Sequence, residues 1–303
     1  MSPIITVKIS IVTPNYNYGR FLQTAIDSVF QQWETSHLSI EHIIIDAGST
    51  DESIAILKAH CAKLREKFPS GGGVPEGRGG SIGGVPVADN TDDITIVTAD
   101  TTYRFRWVSE PDNGQTHAIN KGLQQSTGDI LCWLNSDETY RDNALQKVAQ
   151  AFESHPQWDI MYGEIDFLRE DGSVLHHKYD HPFAYPVLLC YGCFITSAAT
   201  FWRRRAYERV GVLDEHYRVT MDYDYWMRMA KQRCRFGFIP ETLAGFMYHA
   251  TNVSVQFDAL RRQEVRRVRR LHAARLFGNP VIERMMYPPG LALRLLLKLR
   301  RRL

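Results

Sequence analysis

Asn135, Ser136 and Asp137 follow directly on the apolar run Ile130 to Trp133, with Glu138 next in line. A buried strand that stops at such a group sets amide and carboxylate oxygens at the C-terminal edge of a sheet, where open α/β folds hold their ligands. Hard oxygen donors on one short turn suit Mg²⁺ or Mn²⁺ and leave positions free for diphosphate oxygens. Asp137 is the candidate metal ligand, and Asn135 and Ser136 stand beside it. Taken alone, the pattern also describes a helix N-cap or a solvated turn. Two further strand ends give it weight: Pro14-Asn15-Tyr16-Asn17 closes one apolar run and Asp46 closes another. In a parallel sheet all three reach the same edge. There Tyr16 offers an aromatic face, and Asp46 an acceptor for the imide N–H of a uracil- or guanine-like base.

The elements that must position these groups are legible as alternating strands and helices. Val7 to Val12 and His42 to Ile45 are continuous apolar runs, the mark of strands covered on both faces. Between them Phe21, Leu22, Ile26, Val29 and Phe30 repeat at helical spacing. Ser49-Thr50-Asp51-Glu52 has the capping-box pattern and predicts a helix with Ile54, Leu57, Cys61 and Leu64 on one face. Ile94 to Thr98 and Phe105 to Val108 predict a hairpin, and Asn113 to Gln125 a helix. The fold class expected is α/β, a Rossmann-like, mostly parallel central sheet flanked by helices. Residues 69–93, rich in Gly and Pro, read as a flexible insertion. Two basic segments, Leu260 to Phe277 and Leu291 to Leu303, close the chain, which suggests a main domain over 1–257 and a basic helical extension over 258–303.

The net charge of +2 over 303 residues hides an asymmetry. From Asp258 onward thirteen Lys and Arg face three acids, which leaves about −8 on the rest. Charge alone would allow nucleic-acid binding, but no reading module accompanies it, and no nucleic-acid partner is expected. Five cysteines, one inside an apolar strand, point to a reducing compartment. The Cys190-Tyr-Gly-Cys193 pair lacks the second pair that a zinc site of this type requires. Ile9 to Val12 runs into Pro14 as a strand rather than as the apolar core of a signal, and no apolar run reaches the roughly 18 residues of a membrane span. A cytoplasmic setting follows as an expectation.

Five ordered motifs resemble the inverting glycosyltransferases of family 2, and most closely the branch that builds bacterial surface polysaccharides. They are Val12 to Asn17, Ile45 to Asp51, Ser109 to Gln115, Ala118 to Gly122, and Thr127 to Ile130 leading to Leu134-Asn135-Ser136-Asp137. The resemblance spans residues 7 to about 250, apart from the insertion. It implies a GT-A fold, a nucleotide-sugar donor of UDP, GDP or dTDP type, a divalent metal, Mn²⁺ or Mg²⁺, and a glycan or lipid-linked glycan acceptor. Position by position it makes Asp46 the reader of the base and Asp137 the last acid of the metal motif. Pro14, Asn15, Tyr16, Asp112, Gln115, Asn120, Lys121, Asn135 and Ser136 fall on the donor side. Ala47 and Asn135 stand where many members carry Asp, so the metal site holds fewer charges.

The same resemblance makes Asp222, in Met221-Asp222-Tyr223-Asp224, the general base, and places His249 near the metal or diphosphate. Asp224 lies about 200° around a helix from Asp222 and is expected to pair with Arg228 at i+4. Within Leu291 to Leu303, part of the 289–303 segment, Arg294, Lys298, Arg301 and Arg302 fall on one helical arc and most leucines on the other, with Arg300 breaking the pattern. Such a helix suits an anionic membrane surface, peripheral on the inner face of the plasma membrane; packing on the protein or on a second copy is the rival use. Two other functions remain at this point: a nucleotidyltransferase, although Pro-Asn-Tyr-Asn stands where its Gly-rich loop belongs, and a degenerate nucleotide-sugar-binding protein without turnover.

Overall fold

Four parallel strands, β1 (Lys8–Asn15), β2 (Ser39–Asp46), β5 (Thr102–Ser109) and β6 (Ile130–Trp133), form the frame of the N-terminal half, in the order β5-β2-β1-β6. The computed structural model describes residues 7–69, 80–83, 89–98, 100–252, 256–273 and 280–302, and divides into two units, Met1–Gln150 and Ala151–Leu303. In the first unit β4 (Thr91–Thr98) pairs antiparallel with β5, and β3 (Gly80–Gly83) pairs antiparallel with β4. The hairpin expected from Ile94 to Val108 is thus present. Part of the segment read as a flexible insertion is strand, namely Gly80–Gly83 and the start of β4; residues 70–79 and 84–88 lie outside the described residues.

Helices α1 (Gly19–Thr35), α2 (Ser53–Lys67) and α3 (Gln115–Gln125) belong to this sheet. α1 buries Phe21, Leu22, Ile26, Val29 and Trp33, the periodic positions. α3 packs so closely on β1 that a Cβ added at Gly122 would fall 2.3 Å from a methyl carbon of Val12. The capping box does not form. α2 starts at Ser53, and the Ser49 hydroxyl is drawn instead to the Asp46 carboxylate, 2.5 Å away. Asp51 takes the helix-start role, accepting from the N–H groups of Ser53 (3.0 Å) and Gly19 (2.8 Å).

Glu41, fully buried in β2, joins three strands. Its carboxylate accepts from Ser10 Oγ (2.6 Å), Thr127 N–H (2.7 Å) and Arg104 Nη1 (3.1 Å). Burial raises its pKa, and the Ser10 and Thr127 bonds together with the Lys8 charge more than reverse the effect, so it lies below the usual value. A Cβ at Gly128 would meet Ser10 N at 2.6 Å, and Lys8 N–H donates to Asp129 (3.1 Å). Thr127-Gly128-Asp129 therefore serves the turn into β6.

After β7 (Glu138–Tyr140) and α4 (Ala144–Ser154), the second unit is built on β8 (Ile160–Leu168). β9 (Val174–Lys178) and β10 (Thr200–Arg203) pair antiparallel with successive parts of β8, and β11 (Phe236–Met247) pairs with it in parallel. α5 (Tyr185–Cys190), α6 (Arg204–Val210) and α7 (Met221–Lys231) surround this sheet. α8 (Asp258–His272) and α9 (Pro280–Arg302) complete the unit. α8 buries Glu264, Val268 and Arg269, so its packing is that of a domain helix. α9 starts well before the basic segment expected at 291 and carries Pro288 and Pro289 in its interior.

Candidate active site

In the first unit the register brings the polar strand ends level. Asn15 of β1 stands opposite Asp46 of β2, and Asp46 opposite Ser109 of β5. The chain leaves β6 at Leu134, whose N–H still bonds to the Val12 carbonyl (2.9 Å), and then makes the Asn135–Glu138 turn. The convergence expected from the sequence is present within this unit.

Asp46 is fully buried, and both carboxylate oxygens are in use. Oδ1 accepts from Asn15 Nδ2 (2.7 Å) and Ser49 Oγ (2.5 Å). Oδ2 accepts from Ser49 N–H (2.9 Å), Gly48 N–H (3.1 Å) and Ser109 Oγ (2.6 Å). Its observed work is to fold the Ala47–Thr50 loop against the strand edge. Asn17 is held in the left-handed region (φ 53°), and its Oδ1 accepts from Thr50 N–H (2.8 Å). Tyr16, 60% exposed, projects from the same loop.

Ser136 Oγ lies 3.0 Å from the Pro14 carbonyl and 2.9 Å from Asn15 Oδ1, which ties the turn to β1. Asn135 Oδ1 accepts from Gln115 Nε2 (2.7 Å), and Asn135 N–H donates to the buried Glu138 carboxylate (2.8 Å). Glu138 is a positioning residue that the motif did not reveal; its only sequence signal is an acid three residues after Asn135. Asp137 is nearly buried. Asp112 Oδ1 accepts from Gly114 N–H (2.7 Å), while Oδ2 is buried with no hydrogen-bond partner among the described residues. Lys121 is ion-paired with Glu110, and Asn120 is buried beside it on α3.

Among the described residues no three or more His, Cys, Asp or Glu side chains are grouped to hold a metal ion. The donor set at the turn is Asp137 with the Asn135 amide oxygen, which keeps one lone pair beyond the Gln115 bond. A hard cation needs about six oxygens. Two protein oxygens fit an ion that arrives with diphosphate oxygens and do not fit a protein cage.

His249 lies just after the end of β11. It is buried in the second unit, and both ring nitrogens are engaged within its own turn, Nδ1 with Thr251 Oγ1 (2.8 Å) and Nε2 with Asn252 Nδ2 (3.0 Å). An amide N–H donating to Nε2 occupies the lone pair a metal would need. In this arrangement the ring organises the turn after β11.

Also in the second unit, Asp222 sits in the first turn of α7. Its Oδ1 accepts from Tyr223 N–H (2.7 Å), and Cys193 Sγ lies 3.8 Å from Oδ2. Burial pushes the Asp222 carboxyl up to about 6, which the hydrogen bonds only partly counter. Burial also holds the Cys193 thiol protonated and thus a donor. Asp224, two residues on, is structural as expected: it pairs with Arg228 Nε (2.7 Å) and lies 3.3 Å from His272 Nε2.

A second positioning residue came from far along the chain. The buried Glu264 carboxylate of α8 accepts the consecutive N–H groups of Arg218 (2.9 Å), Val219 (3.0 Å) and Thr220 (2.9 Å), and the Thr220 hydroxyl (3.1 Å). These groups precede α7, so Glu264 fixes where the helix carrying Asp222 begins. No local motif signals a pairing 44 residues distant.

Residues 10–70 and 85–211 match the profile described as Glycosyl transferase family 2. Among curated relatives, an uncharacterised glycosyltransferase of Nostoc sp. is 25% identical over 217 residues, covering 69% of this chain and 54% of the relative. A PGL/p-HBAD biosynthesis glycosyltransferase of Mycobacterium bovis is 25% identical over 220 residues, 72% of this chain and 68% of its own. The chain spans about half the length of the Nostoc relative, and less of a Rickettsia felis glycosyltransferase, at 31%. Among solved structures, S. aureus TarS 1-349 in complex with UDP-GlcNAc has a TM-score of 0.59 at 12% identity, over 94% of this chain and 71% of that one. The mannosyltransferase PcManGT of Pyrobaculum calidifontis, in complex with GDP-Man and Mn²⁺, gives 0.58 at 13%, over 96% and 74%. At such identities the likeness shows the fold, which is the GT-A fold expected.

Proposed function

The chain belongs to glycosyltransferase family 2, and from that premise we propose that it moves a sugar, with inversion, from a nucleotide-sugar donor to a saccharide or lipid-linked glycan acceptor in cell-surface polysaccharide assembly. The observation that carries this reading is the level strand edge, which sets Asn15, Asp46 and Ser109 in one row beside the Asn135–Asp137 turn. Family membership sets the nucleotidyltransferase alternative aside. The UDP-GlcNAc and GDP-Man held by the two solved structures support the donor class, and the M. bovis relative is itself a PGL/p-HBAD biosynthesis glycosyltransferase.

In this reading Tyr16 presents its exposed ring to the base. Asp46 acts by holding the base-side loop, since all of its acceptor capacity is turned inward. Asp112 Oδ2 supplies an acceptor to the donor's ribose or sugar hydroxyls, and Lys121 exchanges Glu110 for a phosphate oxygen. Asp137 and Asn135 would hold a divalent ion brought by the diphosphate, and the ion supplies charge neutralisation for the departing nucleoside diphosphate. Asp222 takes the proton of the acceptor hydroxyl on its carboxylate as that oxygen attacks the anomeric carbon. Residues 1–257 carry the transfer chemistry, and 258–303 hold α7 and face a membrane on the cytoplasmic side.

The degenerate-binder reading is favoured by Asn135 and the thin donor set. One experiment separates the two. Purified protein is incubated with UDP-, GDP- and dTDP-sugars and Mn²⁺, and release of nucleoside diphosphate is measured without and with a glycan acceptor. Slow release that accelerates with acceptor supports the transferase; tight binding with no release from any donor sinks it.

A further inference from the structure

The segregation of charge and leucine along α9 is real, but the structure turns it over. Residues at 100° per step place Tyr287, Gly290, Arg294 and Lys298 on one face. That face meets the protein: Tyr287 stacks on Tyr191 at 5.6 Å, and a Cβ at Gly290 would lie 2.8 Å from Tyr191 N. Arg294 covers the same ring at 4.5 Å and reaches Asp180 at 3.4 Å. The outer face is mostly apolar, with the exposed Arg300 at its edge. Met285 is 68% exposed, Leu295 53% and Leu299 60%, with Leu296 between them.

No other described segment covers this stripe, and α8 lies close by. Arg269 of α8 donates to the Tyr191 carbonyl (2.8 Å), so α8 and α9 are anchored on one residue. With Glu264, Val268 and Arg269 turned inward, α8 exposes Arg261, Arg262 and Arg266. We propose that the outer face of α9 and the exposed arginines of α8 together form a docking surface for an anionic lipid bilayer, the leucines entering the acyl boundary and the guanidinium groups meeting lipid phosphates. Charge decides between occupants. Thirteen basic residues against three acids from Asp258 onward attract an anionic surface and oppose the approach of a second copy through the same face. Arg294, expected to touch lipid, is turned to the protein instead, and the arginines of α8 take that role in the proposal.

The proposal rests on the lipid-linked acceptor for its purpose only, and its test involves no sugar transfer. Full-length protein is floated with neutral vesicles and with vesicles containing an anionic phospholipid, at low and high salt. Wild type should float with the anionic vesicles and be released by salt. Leu295→Asp/Leu299→Asp should lower the bound-to-free ratio by about tenfold or more, the loss expected for two partly exposed leucines. Arg261→Glu/Arg262→Glu should remove the preference for anionic over neutral vesicles. All substituted side chains are exposed, so nucleoside diphosphate release from soluble donor should match wild type; melting should match for the leucine variant and fall only slightly for the arginine variant, which loses its exposed pairs with Asp258. Wild type that ignores both vesicle types, or the double-aspartate variant floating as wild type does, overturns the proposal. So does sedimentation showing a wild-type dimer that the aspartates dissolve without any vesicle binding, which would assign the stripe to a second copy.

Discussion

The strand edge of the first unit and the start of α7 in the second hold their carboxylates by opposite means. At the strand edge the partners come from strand ends and the loops that follow them: Asp46 is bonded by Asn15, Ser49 and Ser109, each at or next to a strand terminus. At α7, beside the adjacent Tyr223 N–H, the partners come from a loop and a helix remote in sequence, Cys193 near Asp222 and Glu264 under the preceding turn. A strand edge needs no special partner to be level, because sheet hydrogen bonding already sets the register. A helix start has no such ladder, and its orphan N–H groups must be met by something else. The first kind of site is therefore written into contiguous motifs. The second is written into the fold.

Substitutions at the two sites should fail in correspondingly different ways. The largest effect is expected from Asp137→Ala, which removes the carboxylate at the turn. Nucleoside diphosphate release should fall to background and lose its Mn²⁺ dependence together; activity that stays metal-dependent in this variant would show that the cation is held elsewhere.

Next in size is Asp222→Asn, which keeps shape and removes basicity. Turnover should drop by about 10²–10⁴-fold with donor affinity within a few-fold of wild type. In the wild type, turnover should fall as pH drops through about 6, where Asp222 takes up its proton, and this limb should vanish in the variant. The raised pKa also fixes a sign for stability. A carboxyl whose native pKa is raised is destabilising when ionised: stability is lost as pH rises from the ordinary carboxylate range through about 6 and stays lost above it, so Asp222→Asn should melt higher than wild type at neutral pH. A pH–turnover profile and a pair of melting curves check both. An unchanged profile beside an inactive, well-folded Asp224→Asn would move the base two residues along.

Glu264→Ala leaves three consecutive N–H groups without their acceptor, and buried donors cost about 1–3 kcal/mol each when unpaired. The variant should unfold at clearly lower denaturant, and Glu264→Gln, which retains one acceptor oxygen, should recover part of the loss. Donor binding should be unaffected in both, since the strand edge does not depend on α8; donor affinity that falls with stability would erase the distinction between the sites.

The smallest effect should come from Glu138→Gln. It keeps the bond to Asn135 N–H through a neutral oxygen, so only about 1 kcal/mol is at stake. Its loss should appear as a weaker apparent Mn²⁺ affinity in donor titrations before any change in melting.

Particular residues show how much could be read in advance. The strands at Val7 to Val12 and His42 to Ile45 were legible because a strand covered on both faces is mostly apolar, and α1 because its core positions recur every third or fourth residue. The pairing of Asp224 with Arg228 was legible because i and i+4 share a helix face. The capping box was not: Ser49 Oγ could accept from an N–H at the helix start or donate to a nearby carboxylate, and it is turned to the buried Asp46 carboxylate instead. Nor was the engagement of His249, whose ring is satisfied by a turn only three residues long.

By itself the sequence determined the family, the α/β class, the row of polar strand ends and the division of α9 into a basic and an apolar face. Periodicity and contiguous motifs carry all of these, because each depends on neighbours along one strand or one helix. Tertiary structure alone decided which way α9 faces, that Asp46 spends its oxygens on its own loop, and that Glu264 supports α7. A helix with two dissimilar faces is equally amphipathic whichever face is buried. The choice here fell to Tyr191 and Asp180, which give Arg294 a ring to cover and a carboxylate to meet, and leave Leu295 and Leu299 outside.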